Sequence, residues 1–170
     1  MNWMRGKAGL ALVMVAMVGT VYWMGQRLPV EHRAVASGRV EAAQDAVWRL
    51  VANPATHVAW RTGVIKISAQ PGEEHCWIEA HRSMDLTLCP LESVPERLKI
   101  VHVGGKDTRF GGTWTFALTP LSTEATEVTV TEDGFVRPPL WRFAGHYLMG
   151  EQTNVKQFVQ DLQAEAVRKR

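Results

Sequence analysis

The sequence lacks most of the short patterns on which enzyme chemistry is usually built. It holds no HExxH pair for a catalytic metal, no GxSxG elbow, no phosphate-cradling P-loop and no GxGxxG turn. Nucleophilic catalysis and nucleotide binding therefore have no foothold, and no cofactor is expected. A surplus of positive charge is missing too. Beyond residue 27 the chain carries 16 basic and 17 acidic residues, so the overall balance of +2 comes from Arg5, Lys7 and Arg27 and from the tail Arg168, Lys169, Arg170. Nucleic-acid binders present a basic face, so no nucleic-acid partner is expected. Internal repeats and low-complexity stretches are absent, and the patterned hydrophobic residues argue against disorder.

One long apolar run is present. Residues 8–25 carry no charged side chain and approach the roughly 20 residues that a membrane-crossing helix needs. Arg5 and Lys7 precede the run, and Tyr22 and Trp23 stand near its far end, where amphipathic rings favour the headgroup region. Gln26-Arg27-Leu28-Pro29 follows Gly25 and offers no small-x-small cleavage site. The expectation is an uncleaved anchor over residues 1–27 and one domain over 28–170, a size that suits a single core. The short basic N-terminal tail is the form of a signal anchor that places the domain on the extracytoplasmic side, although Arg27, Arg33 and Arg39 offset the charge count.

Past the anchor the periodicity predicts a strand over 32–40 and a short helix over 43–52 stopped by Asn53-Pro54. A brief turn through Val58 and Trp60 comes next. Six short strands follow, over 64–69, 74–81, 84–91, 98–103, 112–120 and 125–134, each rich in β-branched or aromatic residues and bounded by turn residues. After Pro138-Pro139 the period changes to 3.6, with Leu140, Ala144, Leu148, Val155, Phe158, Val159, Leu162 and Ala166 on one stripe. This predicts a single long C-terminal helix, with Gly145 and Gly150 as its weak points.

The hairpin HCWIEAHRSMDLTLCP is the most informative stretch. A turn about Arg82-Ser83 sets Glu79 opposite Leu86, Trp77 opposite Leu88 and Cys76 opposite Cys89. Alternation then sends Trp77, Glu79, Met84, Leu86 and Leu88 inward. The same parity sends Trp114, Phe116 and Leu118 inward, along with Val128, Val130 and Glu132. Two carboxylates thus face an apolar interior. Burial is costly for an unpaired carboxylate and raises its pKa, so Glu79 and Glu132 are weak candidates for an acid/base role. The alternative is that each is a satisfied structural group, paired with Arg61, Arg82 or Arg137. Cys76 and Cys89 are either a disulfide, which an oxidising compartment permits, or two small buried thiols. His75, Glu79 and His81 share a strand face without metal-ligand spacing, and no metal site is expected.

The matching pieces DAVWRLVANP, VAWRTGV, Trp77-x-Glu79, Pro95-Glu96-Arg97-Leu98, FGGTWTFALTP, VTVTEDGFVRPPLWRF and the Met149-Gly150 step resemble the START-like superfamily known as SRPBCC, in particular its polyketide cyclase/dehydrase-type members. The resemblance covers about residues 33–166. It implies an α+β helix-grip fold, in which a seven-stranded antiparallel sheet wraps a long C-terminal helix around a cavity that commonly takes lipids, sterols or polyketides. It carries no catalytic residue over, and a fold does not fix a function.

These readings lead to a membrane-anchored domain that binds a hydrophobic small molecule or lipid without catalysis. The expected lining is Trp77, Leu86, Leu88, Trp114, Phe116, Val130, Phe143 and Tyr147, with Glu79 and Glu132 as polar contacts. Two other readings stand beside it: a cyclase- or dehydratase-like enzyme using one of the carboxylates, and an interaction module with a packed interior and no ligand.

Overall fold

The computed structural model describes residues 2–82, 84–104, 109–150 and 152–169, with side chains from residue 12 onward. A helix α1 (Asn2–Arg27) leads into β1 (Glu31–Val40), followed by α2 (Gln44–Ala52), a 3-10 turn at Pro54–Thr56, and the single turn α3 (His57–Trp60). The strands β2 (Lys66–Ala69), β3 (Trp77–Ala80), β4 (Asp85–Val94), β5 (Leu98–Gly104), β6 (Phe110–Ser122) and β7 (Ala125–Val136) come next. The chain ends with α4 (Pro139–Ala144), a π-turn at Gly145–Met149, and α5 (Thr153–Arg168).

All strand pairs are antiparallel, in the order β1-β7-β6-β5-β4-β3-β2. Strands β2 to β7 form a meander, since short turn-bounded strands pair most readily with their chain neighbours. Only β1 comes from outside that run, and it closes the sheet against β7. The register of β3 and β4 pairs Trp77 with Leu88 and Glu79 with Leu86, as the alternation predicts. Helix α5 lies on the inner face against β1 and β7. Its stripe Val155, Phe158, Val159, Leu162 and Ala166 is buried against Val40, Val128 and Val130 of the sheet and Val47 and Val51 of α2.

One expectation needs correction. The C-terminal stripe is not one helix. Gly150 adopts φ 82°, a conformation that ends a helix, and α4 with its π-turn is a separate, mostly exposed segment before α5 begins. The apolar run 8–25 is helical, but no helix among the described residues is long and apolar enough to cross a membrane. Helix α1 as a whole is 26 residues long, about 39 Å at 1.5 Å per residue. The side chains of residues 8–11 lie outside the described residues.

Cys76 and Cys89 are joined by a disulfide across the β3–β4 hairpin, S–S 2.07 Å. Its sequence separation is 13, and closing a loop of that length in the unfolded chain is worth about 3 kcal/mol. Reduction, or Cys76→Ser with Cys89→Ser, is expected to lower the urea-unfolding free energy by about 2–3 kcal/mol, and peptide mapping of unreduced protein is expected to yield the linked pair. Gly38 allows the close approach of α5, since a Cβ there would stand 2.5 Å from Cγ1 of Val159. Gly38→Val is expected to destabilise by about 1–3 kcal/mol through overpacking, and adding Val159→Ala should recover part of the loss in the same assay.

Candidate functional site

Strand β3 is four residues long and turns Trp77 and Glu79 inward, between Ala69 and Ile67 of β2 and Leu88 and Leu86 of β4. Facing them is α3. Asn53 sets up this turn by accepting a hydrogen bond from the Ala55 amide, 3.2 Å, at the point where Pro54 stops α2. The i,i+4 spacing then brings His57 and Arg61 onto one face. Thr62 fixes the exit, because its amide and hydroxyl both donate to Asp161 of α5, at 2.6 and 2.9 Å.

A polar cluster results in an otherwise apolar interior. Glu79 is 1% exposed. One guanidinium nitrogen of Arg61 donates to both its oxygens, 2.8 and 2.6 Å, His57 Nδ1 lies 3.0 Å from Oε1, and Trp77 Nε1 donates to Oε1 at 3.2 Å. His81 Nε2 stands 3.7 Å from Oε2. The Arg61 guanidinium also lies 5.0 Å above the ring of Phe158 and 6.0 Å from that of Trp114, a placement in which the aromatic faces stabilise the cation.

Burial alone would push the Glu79 carboxyl upward. The hydrogen bond from His57, the His81 ring beside it and the charge of Arg61 outweigh it and hold the group well below the usual carboxylate range. Burial pulls His57 below its ordinary value, and the hydrogen bond to Glu79 offsets only part of that. A neutral imidazole beside a carboxylate carries its hydrogen on Nδ1, which leaves Nε2 as an acceptor. Nε2 of His57 is buried and without a hydrogen-bond partner among the described residues, and Nε2 of His81, also buried, meets only the Glu79 carboxylate, beyond hydrogen-bond distance. Nearby, burial pushes Lys99 down to about 8. Its ammonium donates to the carbonyls of Val51 and Ala52 at the end of α2, 3.2 and 2.9 Å, above the ring of Trp77, so it caps that helix.

Of the residues expected to line a cavity, Trp77, Leu88, Phe116 and Val130 are buried in the core. Trp114 and Phe116 pack on Phe158, with ring centroids 6.0 and 4.9 Å away. Leu86, Trp114 and Glu132 are half-buried on the sheet, and Phe143 is half-buried on α4 against Tyr147. Tyr147 is a correction: it lies on the exposed π-turn, 52% accessible, and lines no interior space. The two carboxylates do not meet. Glu132 sits between Ala34 and Trp114, with Oε1 3.6 Å from His32 and Oε2 buried without a partner. Strands β6, β5 and β4 separate it from Glu79, about 19 Å along the sheet at the usual strand spacing. A groove of about 1060 Å³ runs elsewhere, on the outside between α2, the β6–β7 turn and the end of α5, and none of the expected lining residues borders it. Sequence reading missed His57 and Lys99; the His57/Arg61 spacing in HVAWR was the signal available for the first.

Arg61→Met leaves the Glu79 charge buried and uncompensated, and is expected to destabilise by about 3–5 kcal/mol. Adding Glu79→Leu is expected to restore most of this in urea unfolding. The folded-state pKa values of His57 and Glu79 both lie below their ordinary values of 6.5 and 4.5, so the unfolded chain binds protons first as the pH falls. Stability is therefore expected to drop in two stages, first below about pH 6.5 and again below about pH 4.5. His57→Gln should remove the upper stage from the pH dependence of the unfolding midpoint.

No protein-family model matches the sequence, and no curated protein matches it. Solved structures do. A START superfamily protein from Mycobacterium smegmatis is 12% identical with a TM-score of 0.64, over 82% of this chain and 99% of that one. The ZhuI aromatase/cyclase from Streptomyces sp. R1128 is 13% identical with a TM-score of 0.61, over 82% and 95%. A norcoclaurine synthase point mutant from Thalictrum flavum is also 13% identical with a TM-score of 0.61, over 82% and 96%. At such identities the likeness is one of fold, and the chain has the START-like architecture of a seven-stranded antiparallel sheet gripping its C-terminal helix.

Proposed function

We propose that the chain binds a hydrophobic small molecule or lipid against the inner face of the sheet, with the Arg61–Glu79–His57 cluster as its polar anchor. The observation that carries this reading is the buried His57 Nε2, which has no hydrogen-bond partner among the described residues, with the His81 ring on the same carboxylate and half-buried apolar groups such as Leu86 and Trp114 on the neighbouring strands. A buried polar atom left unpaired costs about 1–3 kcal/mol, and a ligand hydroxyl or carbonyl reaching these rings would recover that. The START-like fold is consistent with such a role. We further propose that α1 tethers the domain to a bilayer and that the domain stands on the extracytoplasmic side. Its exposed apolar side chains, such as Leu12 and Val15, support the first statement, and the Cys76–Cys89 disulfide supports the second.

A second reading is favoured by one detail. Glu79 orients His57 through Nδ1 and leaves Nε2 unprotonated, an arrangement that suits a general base. A cyclase- or dehydratase-like reaction would then use His57 to take a proton and Glu79 as its positioning residue, rather than either carboxylate directly.

Native mass spectrometry of the full chain, extracted in mild detergent and followed by lipid analysis, tests the binding reading. A stoichiometric lipophile is expected. Leu86→Trp should displace it with the circular dichroism spectrum unchanged, and His57→Phe should weaken it about tenfold, the equivalent of one hydrogen bond. A clean apo mass from several lipid-rich preparations would sink the binding reading. Conversion of the extracted compound by wild type but not by His57→Phe would establish the catalytic one.

A further inference from the structure

The most exposed apolar surface of the domain lies away from the polar cluster, on α4 and the π-turn. Leu140, Trp141, Tyr147, Leu148 and Met149 are 46% to 74% exposed, and Trp23 near the end of α1 is 57% exposed beside them. Monomeric proteins rarely leave contiguous apolar patches of this kind without a partner.

Two features hold the patch against α1. Gly25 is packed so closely on α4 that a Cβ there would stand 2.0 Å from the Pro139 carbonyl oxygen, and Arg142 Nε donates to the Gly25 carbonyl at 2.9 Å. The Arg142 side chain also donates to the carbonyls of Val136 and Arg137, fixing the start of α4 to the end of β7. The exposed apolar body of α1, from Leu12 to Val18, therefore emerges directly beside the patch.

Their chemistry is that of a headgroup boundary. Trp23, Trp141 and Tyr147 have the amphipathic rings that favour it. Residues 12–30 and 134–150 together hold Arg27, Arg137 and Arg142 and no Asp or Glu, which complements anionic lipid. We propose that α4 and the π-turn form a second membrane contact that lies in the interface of an anionic bilayer. This rests on the tether reading for α1. Its consequence is that the half-buried Phe143 of α4 and Phe110 of β6, whose ring lies 6.1 Å from that of Trp141, sit next to the lipid from which a ligand would come.

The test uses the full chain in vesicles of phosphatidylcholine and phosphatidylglycerol, with an environment-sensitive fluorophore on single introduced cysteines, since the native pair is disulfide-bonded. Leu148→Cys reports the patch, Val15→Cys reports α1, and Thr123→Cys on the distant β6–β7 turn is the reference. Nitroxide-bearing phospholipid is expected to remove most of the emission at 148 and 15, with a blue shift, and little at 123. Quenching at 15 but not at 148 overturns the patch proposal and leaves the tether standing. Quenching at 148 alone supports the patch and overturns the tether. Quenching at neither, or equally at 123, overturns both.

Discussion

Arg61 and Glu79 meet in a place where neither could stay alone. A carboxylate that is 1% exposed among Trp77, Leu86 and Leu88 has lost its water, and only a charge that has lost much of its own can compensate. That requirement reaches far into the structure. It fixes α3 against β3, demands the Thr62–Asp161 bonds that tie the exit of α3 to α5, and places the guanidinium over Phe158, the residue at the centre of the aromatic core. The ion pair adds little net stability against an apolar alternative. What it adds is a geometric demand on how α3 docks against β3.

The molecule divides its chemistry between two ends. Beneath α3 the interior is polar around a buried carboxylate, with a ring nitrogen of His57 still able to accept. Toward α4 the surface is apolar and aromatic. A lipophile with one polar group would be matched by such an arrangement, its head at the histidines and its body along the sheet.

Much of this was legible in the sequence, for reasons that can be named. Period-2 alternation is local, so the order of the strands and the inward parity of Trp77, Glu79, Trp114 and Phe116 followed from it. The β3–β4 register followed from the short turn. Period 3.6 is also local, but it does not report whether a stripe is continuous. Leu140 and Leu148 fit the same stripe as Phe158, and only the backbone at Gly150 separates them. That is why Leu140 and Leu148, on the expected stripe, are exposed. The polar cluster depended on a tertiary meeting of α3 with β3 across 18 residues of chain, and periodicity says nothing about such meetings.

The disulfide across the β3–β4 hairpin has a role beyond loop closure. Strand β3 is only four residues long and is backed on one side by an equally short edge strand, so its ladder alone resists sliding weakly. A slip of one residue would turn Glu79 to the outer face and Ile78 to the inner one. The covalent link beside the Trp77–Leu88 pair forbids that slip. In this fold the bridge acts as an index pin, which keeps one carboxylate facing one arginine through every local opening of the sheet edge.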